Sequence, residues 1–141
     1  KNFNRHNLGK TMITPELNYL TWVTVFTALM WMPYILNTIV VRGLINAVGY
    51  SENPKPLAPW AARMKQAHSN AIENLVVFGL LIFVAQAAGA NNETTALASA
   101  IYFYARIVHF VTYSLGVPWV RTLAFAVGFM CQISLALQIL M

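Results

Sequence analysis

The chain has 141 residues, of which 58% are hydrophobic and 9% charged, with a formal net charge of +5. That is well above the roughly 45–50% apolar content of a soluble domain, and the length leaves room for one domain. The positive balance does not point to nucleic acid, because the basic residues are spread over helix ends and apolar stretches with no aromatic-basic surface motif.

A bilayer span needs about 20 mostly apolar residues. Four stretches qualify, at 19–41, 60–88, 94–115 and 119–141. The expected fold is therefore an all-α membrane protein, a four-transmembrane-helix bundle. Residues 1–11 are polar and basic, with no apolar run to serve as a signal core. They are assigned to an N-terminal extension or an expression remnant, and 12–141 to a single membrane domain. Met12-Ile13 reads as a natural chain start, and Thr14-Pro15-Glu16 as a helix opening: cap, first helical position, and an acid at the positive end of the dipole. In the first span Trp22 and Trp31 read as packing or interface anchors, and Pro33 predicts a kink. Arg42 at its far end is open to two readings, a snorkelling interface residue or a member of a site.

Gly49, Pro54, Pro56 and Pro59 forbid a continuous helix over 46–59, which reads as the longest loop. Arg42, Lys55, Arg63 and Lys65 surround it against one acid, Glu52, whereas the 89–93 turn holds no Lys or Arg. The positive-inside rule then places the 46–59 loop and the 116–118 turn in the cytoplasm and both chain ends outside.

The second stretch predicts one helix in which Arg63, Gln66, Asn70 and Glu73 fall on a shared face, a polar stripe running into an apolar helix. The third carries Arg106, His109 and Tyr113 at i, i+3 and i+7. At ~1.5 Å per residue, Asn70 and Glu73 lie about 15 and 20 Å from the 60 end, and Arg106 lies about 15 Å back from Gly116. Both stripes thus open to one side and come level.

Two readings follow. In the bland one Glu73 neutralises Arg106, and Asn70 and His109 complete a structural network. In the sharper one a polar crevice, entered by Arg63, Arg106 and Arg121 against one Glu, takes an anion that also carries an amine. Cys131 is the sole cysteine, so it reads as a lipid-facing or packing residue. His109 has no Cys, His or Asp in ligand spacing, and no metal site is expected. His68 reads as an interface or packing residue. No internal repeat is visible.

Three blocks carry a family resemblance: Arg63 followed by Ala67-His68-Ser69-Asn70-Ala71-Ile72-Glu73 and Phe78; Arg106-Ile107-Val108-His109-Phe110-Val111-Thr112-Tyr113; and Pro118-Trp119-Val120-Arg121-Thr122. Together they resemble the membrane-associated proteins in eicosanoid and glutathione metabolism (MAPEG), in a short bacterial-type form. The resemblance implies a homotrimer in the bacterial inner membrane, with glutathione bound between neighbouring protomers near the cytoplasmic side. It further implies conjugation, peroxide reduction or isomerisation of lipophilic substrates. Family binding positions fall on Arg42, Asn70, Glu73, Arg106, His109 and Tyr113. Arg121 matches the arginine that activates the glutathione thiol, and Thr122 stands where some members have a serine.

Gln66 and Ser69 depart from the eicosanoid enzymes, which carry arginines there. Losing two guanidiniums removes bidentate carboxylate partners.

The chemistry implied by the resemblance suits these side chains. Arginines hold carboxylates, Glu73 with Asn70 holds the ammonium, and a guanidinium at the thiol favours the reactive thiolate. Tyr113 either donates to the thiol or anchors at the interface.

The leading expectation is an integral-membrane glutathione-dependent transferase or peroxidase acting on lipophilic electrophiles or hydroperoxides that enter from membrane lipids. The alternative is a non-catalytic scaffold or accessory subunit of a larger membrane complex. A small multidrug-type transporter fits less well, because the only acid near the first span, Glu16, lies at its extreme start.

Overall fold

A computed structural model describes residues 13–141. The expectations for residues 1–11 and for Met12 as a chain start lie outside the described residues. Six helices follow in order: α1 (Pro15–Leu29), α2 (Trp31–Arg42), α3 (Leu44–Val48), α4 (Pro59–Ala88), α5 (Glu93–Leu115) and α6 (Pro118–Leu140). Among the described residues three helical stretches, Pro15–Arg42, Pro59–Ala88 and Pro118–Leu140, are long and apolar enough to cross a membrane, and the protein is an integral membrane protein. α5 has 23 residues, enough for a span, but it is less apolar. α4 and α5 form the centre of the bundle and pack on each other, with α1 and α6 each packed against both.

The helix starts follow local chemistry. Thr14 caps α1 by accepting from the Leu17 amide, ahead of Pro15 and Glu16, as expected. α5 opens on a reciprocal pair: Asn92 Oδ1 accepts from the Thr95 amide at 3.0 Å and Thr95 Oγ1 accepts from the Asn92 amide at 2.8 Å. At its other end Gly116 adopts φ +76, and the amides of Gly116 and Val117 return to the carbonyls of Tyr113 and Thr112.

Two boundaries differ from the sequence reading. The first span breaks at Met30, three residues before Pro33. The physical cause is the proline, whose ring crowds the carbonyl four residues back and supplies no amide to it; the Met30 amide tightens onto Thr27 O at 3.3 Å. The 46–59 loop is shorter than expected, because Gly43 at φ +76 ends α2 and the chain then makes the one-and-a-half-turn α3 before the prolines take over.

In a membrane the interior is held by close packing of small side chains more than by expulsion of water. Ala61, Ala67, Ala71 and Ala85 on α4, Ala98 and Ala105 on α5, and Ala124 and Gly128 on α6 are all buried. Around them Phe78 stacks on Tyr102 with ring centroids 3.8 Å apart, in a core with Leu20, Val23, Ile82 and Leu135. Cys131 belongs to that core, which settles it as a packing residue. Trp22 and Trp31 are exposed on the outer face. His68 meets the Tyr34 hydroxyl through Nδ1 at 2.7 Å and so joins α4 to α2 just past the break.

Candidate functional site

The polar residues of α4, α5 and α6 converge in the interior. Arg106 is 2% exposed and donates through Nη2 to Asn70 Oδ1 at 2.8 Å, so the expected levelling of these two residues is present as a direct bond. Asn74, one turn further along α4, donates through Nδ2 to Asn70 O at 2.9 Å and to Asn70 Oδ1 at 3.3 Å. From α6, Gln132 donates through Nε2 to Asn74 O at 3.3 Å and Asn74 Oδ1 at 3.5 Å. Gly128 of α6 faces the same place; a Cβ there would lie 3.8 Å from Arg106 Cδ and from the Tyr102 ring, an ordinary van der Waals distance.

Beside this cluster is a cavity of about 290 Å³ lined by Asn70, His109, Tyr113, Arg121, Thr122 and Phe125. Five of the eight residues singled out in the sequence therefore line one cavity. A sixth, Arg106, is bonded to its wall. α6 begins at Pro118, so Arg121 and Thr122 lie in its first turn, directly after the Gly116 reversal that brings α6 back alongside α5.

The Arg121 guanidinium carbon lies 4.6 Å from the Tyr113 ring centroid, a cation–π contact worth about 0.5–2 kcal/mol. His109 packs edge-on to Tyr113 with centroids 5.5 Å apart, and its Nδ1 is buried with no hydrogen-bond partner among the described residues. Thr122 Oγ1 donates to Pro118 O, leaving its oxygen free to accept.

Two expectations, the Glu73–Arg106 pair and the entry of Arg63, need correction, and Arg42 stands apart from the other site residues within one chain. The ion pair between Glu73 and Arg106 is not formed: Arg106 bonds Asn70, and Glu73 is exposed on the flank of the chain. Successive residues turn by about 100°, so Glu73 lies about 60° round the helix from Asn70, enough to take it out of the interior.

Arg63 does not enter the crevice. Its Nε donates to Ser114 O at 3.0 Å, and its guanidinium lies 3.2 Å from where a Gly116 Cβ would be, so it neutralises the carbonyl end of α5. Arg42 is not brought to the others within the chain either. Its Nε donates to Lys55 O at 2.8 Å, and it lines a separate crevice with Asn46, Ser51 and Asn53.

Sequence reasoning passed over Asn74, Gln132 and the Glu16–Thr95 contact, in which a carboxylate 2% exposed accepts the Thr95 hydroxyl. The signal was present for two of them. Asn74 is four residues from Asn70, and Gln132 is an amide in the middle of an apolar helix, where a polar group needs a partner.

The fold and site define an all-α membrane bundle with a polar cavity at one end of its central helices. A model of the MAPEG family matches residues 19–141, and the chain belongs to that family. It is a family of membrane glutathione transferases and peroxidases, membrane-embedded and often trimeric. Among curated proteins none matches the chain significantly.

Proposed function

We propose that this chain is an integral-membrane glutathione-dependent transferase or peroxidase acting on lipophilic electrophiles or hydroperoxides. The observation that carries the reading is the gathering of Asn70, His109, Tyr113, Arg121 and Thr122 around one cavity in a MAPEG chain. Glutathione suits this donor set: it has two carboxylates for guanidinium and amide N–H groups, and a thiol that requires a cation beside it. When bound it supplies the sulfur nucleophile.

Each side chain has a distinct task in this reading. Arg121, held over Tyr113, places a permanent positive charge where the thiol proton is lost, which favours the anion of a group whose free pKa is ~8.5. No separate base is needed to bias that equilibrium. Thr122 offers an acceptor and Tyr113 a hydroxyl at the same mouth. His109 Nδ1, buried and without a partner among the described residues, is satisfied by a polar group of the ligand. Arg106 stands behind Asn70 and sets its orientation.

The cavity of about 290 Å³ is at the lower limit of ligand sites, which run from roughly 300 to 1,000 Å³. A homotrimer completes it in this reading, with Arg42 and Glu73 of a neighbouring copy closing the side that one chain leaves open. The bacterial inner membrane, with the loop after α3 on the cytoplasmic side, belongs to the same proposal.

The test is titration calorimetry of glutathione on the detergent-solubilised protein together with ultraviolet thiolate difference absorbance. Wild type is expected to bind and to show the thiolate signal. Arg121→Leu is expected to bind and to lose the signal along with turnover of a model electrophile. A wild type that binds no glutathione favours the scaffold reading, for which Gln66 and Ser69 in place of arginines already speak.

A further inference from the structure

We propose that Gln132 and Asn74 are positioning residues that lock the Asn70 side chain with its oxygen inward, so that only N–H donors face the ligand at that wall. The argument rests on the directions of the hydrogen bonds. A guanidinium can only donate, so the Asn70 atom 2.8 Å from Arg106 Nη2 is the amide oxygen. The same oxygen receives Asn74 Nδ2 at 3.3 Å, which uses both of its lone pairs. Asn74 cannot turn round freely, because its nitrogen is also bonded to Asn70 O at 2.9 Å and its own oxygen receives Gln132 Nε2. Gln132 is 6% exposed and comes from a different helix. The relay therefore runs Gln132 to Asn74 to Asn70, with Arg106 closing it from α5.

What remains of Asn70 is its NH₂ group, on a residue that lines the cavity. A ligand group at this wall must accept: a carboxylate or amide carbonyl fits and an ammonium does not. In this proposal Asn70 does not hold the ammonium, which is left to Glu73. A freely turning amide would present either face and bind either group weakly. The relay removes that choice before the ligand arrives, and so acts on binding and not on the sulfur.

The inference rests on the glutathione reading for its kinetic test but not for its spectroscopic one. Gln132→Met keeps the side-chain shape and removes the donor; Asn74→Asp is isosteric and replaces the donor to Asn70 with an acceptor. In both, KM for glutathione is expected to rise about tenfold, the effect of one or two lost orienting bonds. Turnover at saturating glutathione and the thiolate signal should stay within about twofold of wild type, since Arg121 is untouched. A merely structural role would lower active fraction and kcat with KM unmoved, and that result, or an unchanged KM in both variants, overturns the proposal.

If wild type binds no glutathione, the functional reading fails while the relay is still decided by NMR of asparagine-labelled protein in nanodiscs. The Asn74 side-chain amide should resist deuterium exchange while that of Asn70 exchanges readily, and Gln132→Met should shift both. Equal exchange of the two amides in wild type sinks the relay even if neither variant folds.

Discussion

Arg106 on α5 and Asn70 on α4 are joined by a 2.8 Å hydrogen bond from Nη2 to Oδ1, and this bond, not an ion pair, ties the two central helices together. Arg106 is 2% exposed and its Nε has no partner among the described residues, so a guanidinium is held in the interior by one neutral amide. Taking such a charge out of water is expensive, and neutral partners repay only part of the cost.

From this follows an expectation opposite to that for a buried ion pair. Arg106→Met should leave the thermal unfolding temperature unchanged or raise it, because a poorly compensated buried charge is replaced by an apolar group of similar length. Glutathione affinity should fall at least tenfold, about 1.4 kcal/mol, as Asn70 loses its strongest restraint. A large drop in unfolding temperature would show that the charge is compensated by something the single chain does not contain.

Arg63 is assigned to architecture. Arg63→Met should cost about 1 to 2 kcal/mol, from the lost charged bond to Ser114 O and the exposed helix end, with glutathione affinity within about twofold of wild type. Gly116→Ala should be worse, since it puts a side chain at φ +76 and drives it toward the Arg63 guanidinium 3.2 Å away. Paired thermal melts and calorimetry on the two variants check both statements.

At the opposite end of the bundle, Thr95 is fully buried and donates to Glu16 while accepting the Asn92 amide. Thr95→Val strips the donor from a buried carboxylate and half of a helix cap at once, with an expected loss of about 3 kcal/mol. Glu16→Gln keeps an acceptor in place and should cost less. Unfolding followed by circular dichroism should rank the two in that order, and the reverse order would mean that Thr95 does not hold Glu16.

Glu73 is exposed on an apolar helix of the single chain. An acid facing lipid costs roughly 2.5–3.5 kcal/mol on insertion scales, a cost that the proposed homotrimer would relieve. Light scattering of the solubilised protein is expected to give a protein mass near three chains, and Glu73→Lys to lower it. A stable particle of one chain would remove the basis for a shared site.

How much of this was legible in the sequence can be judged from particular residues. The helices follow from apolar length, proline and glycine, so their existence and ends within a few residues are local matters. The meeting of Asn70, His109, Tyr113 and Arg121 was readable because depth along a helix is linear in sequence and α5 and α6 are joined by a two-residue reversal. Rotation about a helix axis was not. Glu73 and Asn74 stand on either side of Asn70 by about 60° and 40°, and only the docking of α6 decides that Asn74 faces in and Glu73 out. Arg63 likewise has a long side chain whose destination, the end of α5, depends on how α4 lies across it. Pro33 announced a bend but not that the chain would yield at Met30.

The stretch Pro15–Arg42 has 28 residues, about 42 Å of helix against a hydrocarbon thickness of about 30 Å. A straight helix of that length meets a thin bilayer by tilting as a whole. This one is interrupted at Met30, and beyond it α2 is joined to α4 by Tyr34 and His68 and to the proline-rich loop by two bonds, Asn37 to the Ala58 amide and Arg42 to Lys55 O. The two halves are therefore seated separately, α1 on α4 and α5 through Leu20 and Val23 and α2 on α4 through His68, so that the excess length can be accommodated by two different tilts in place of one.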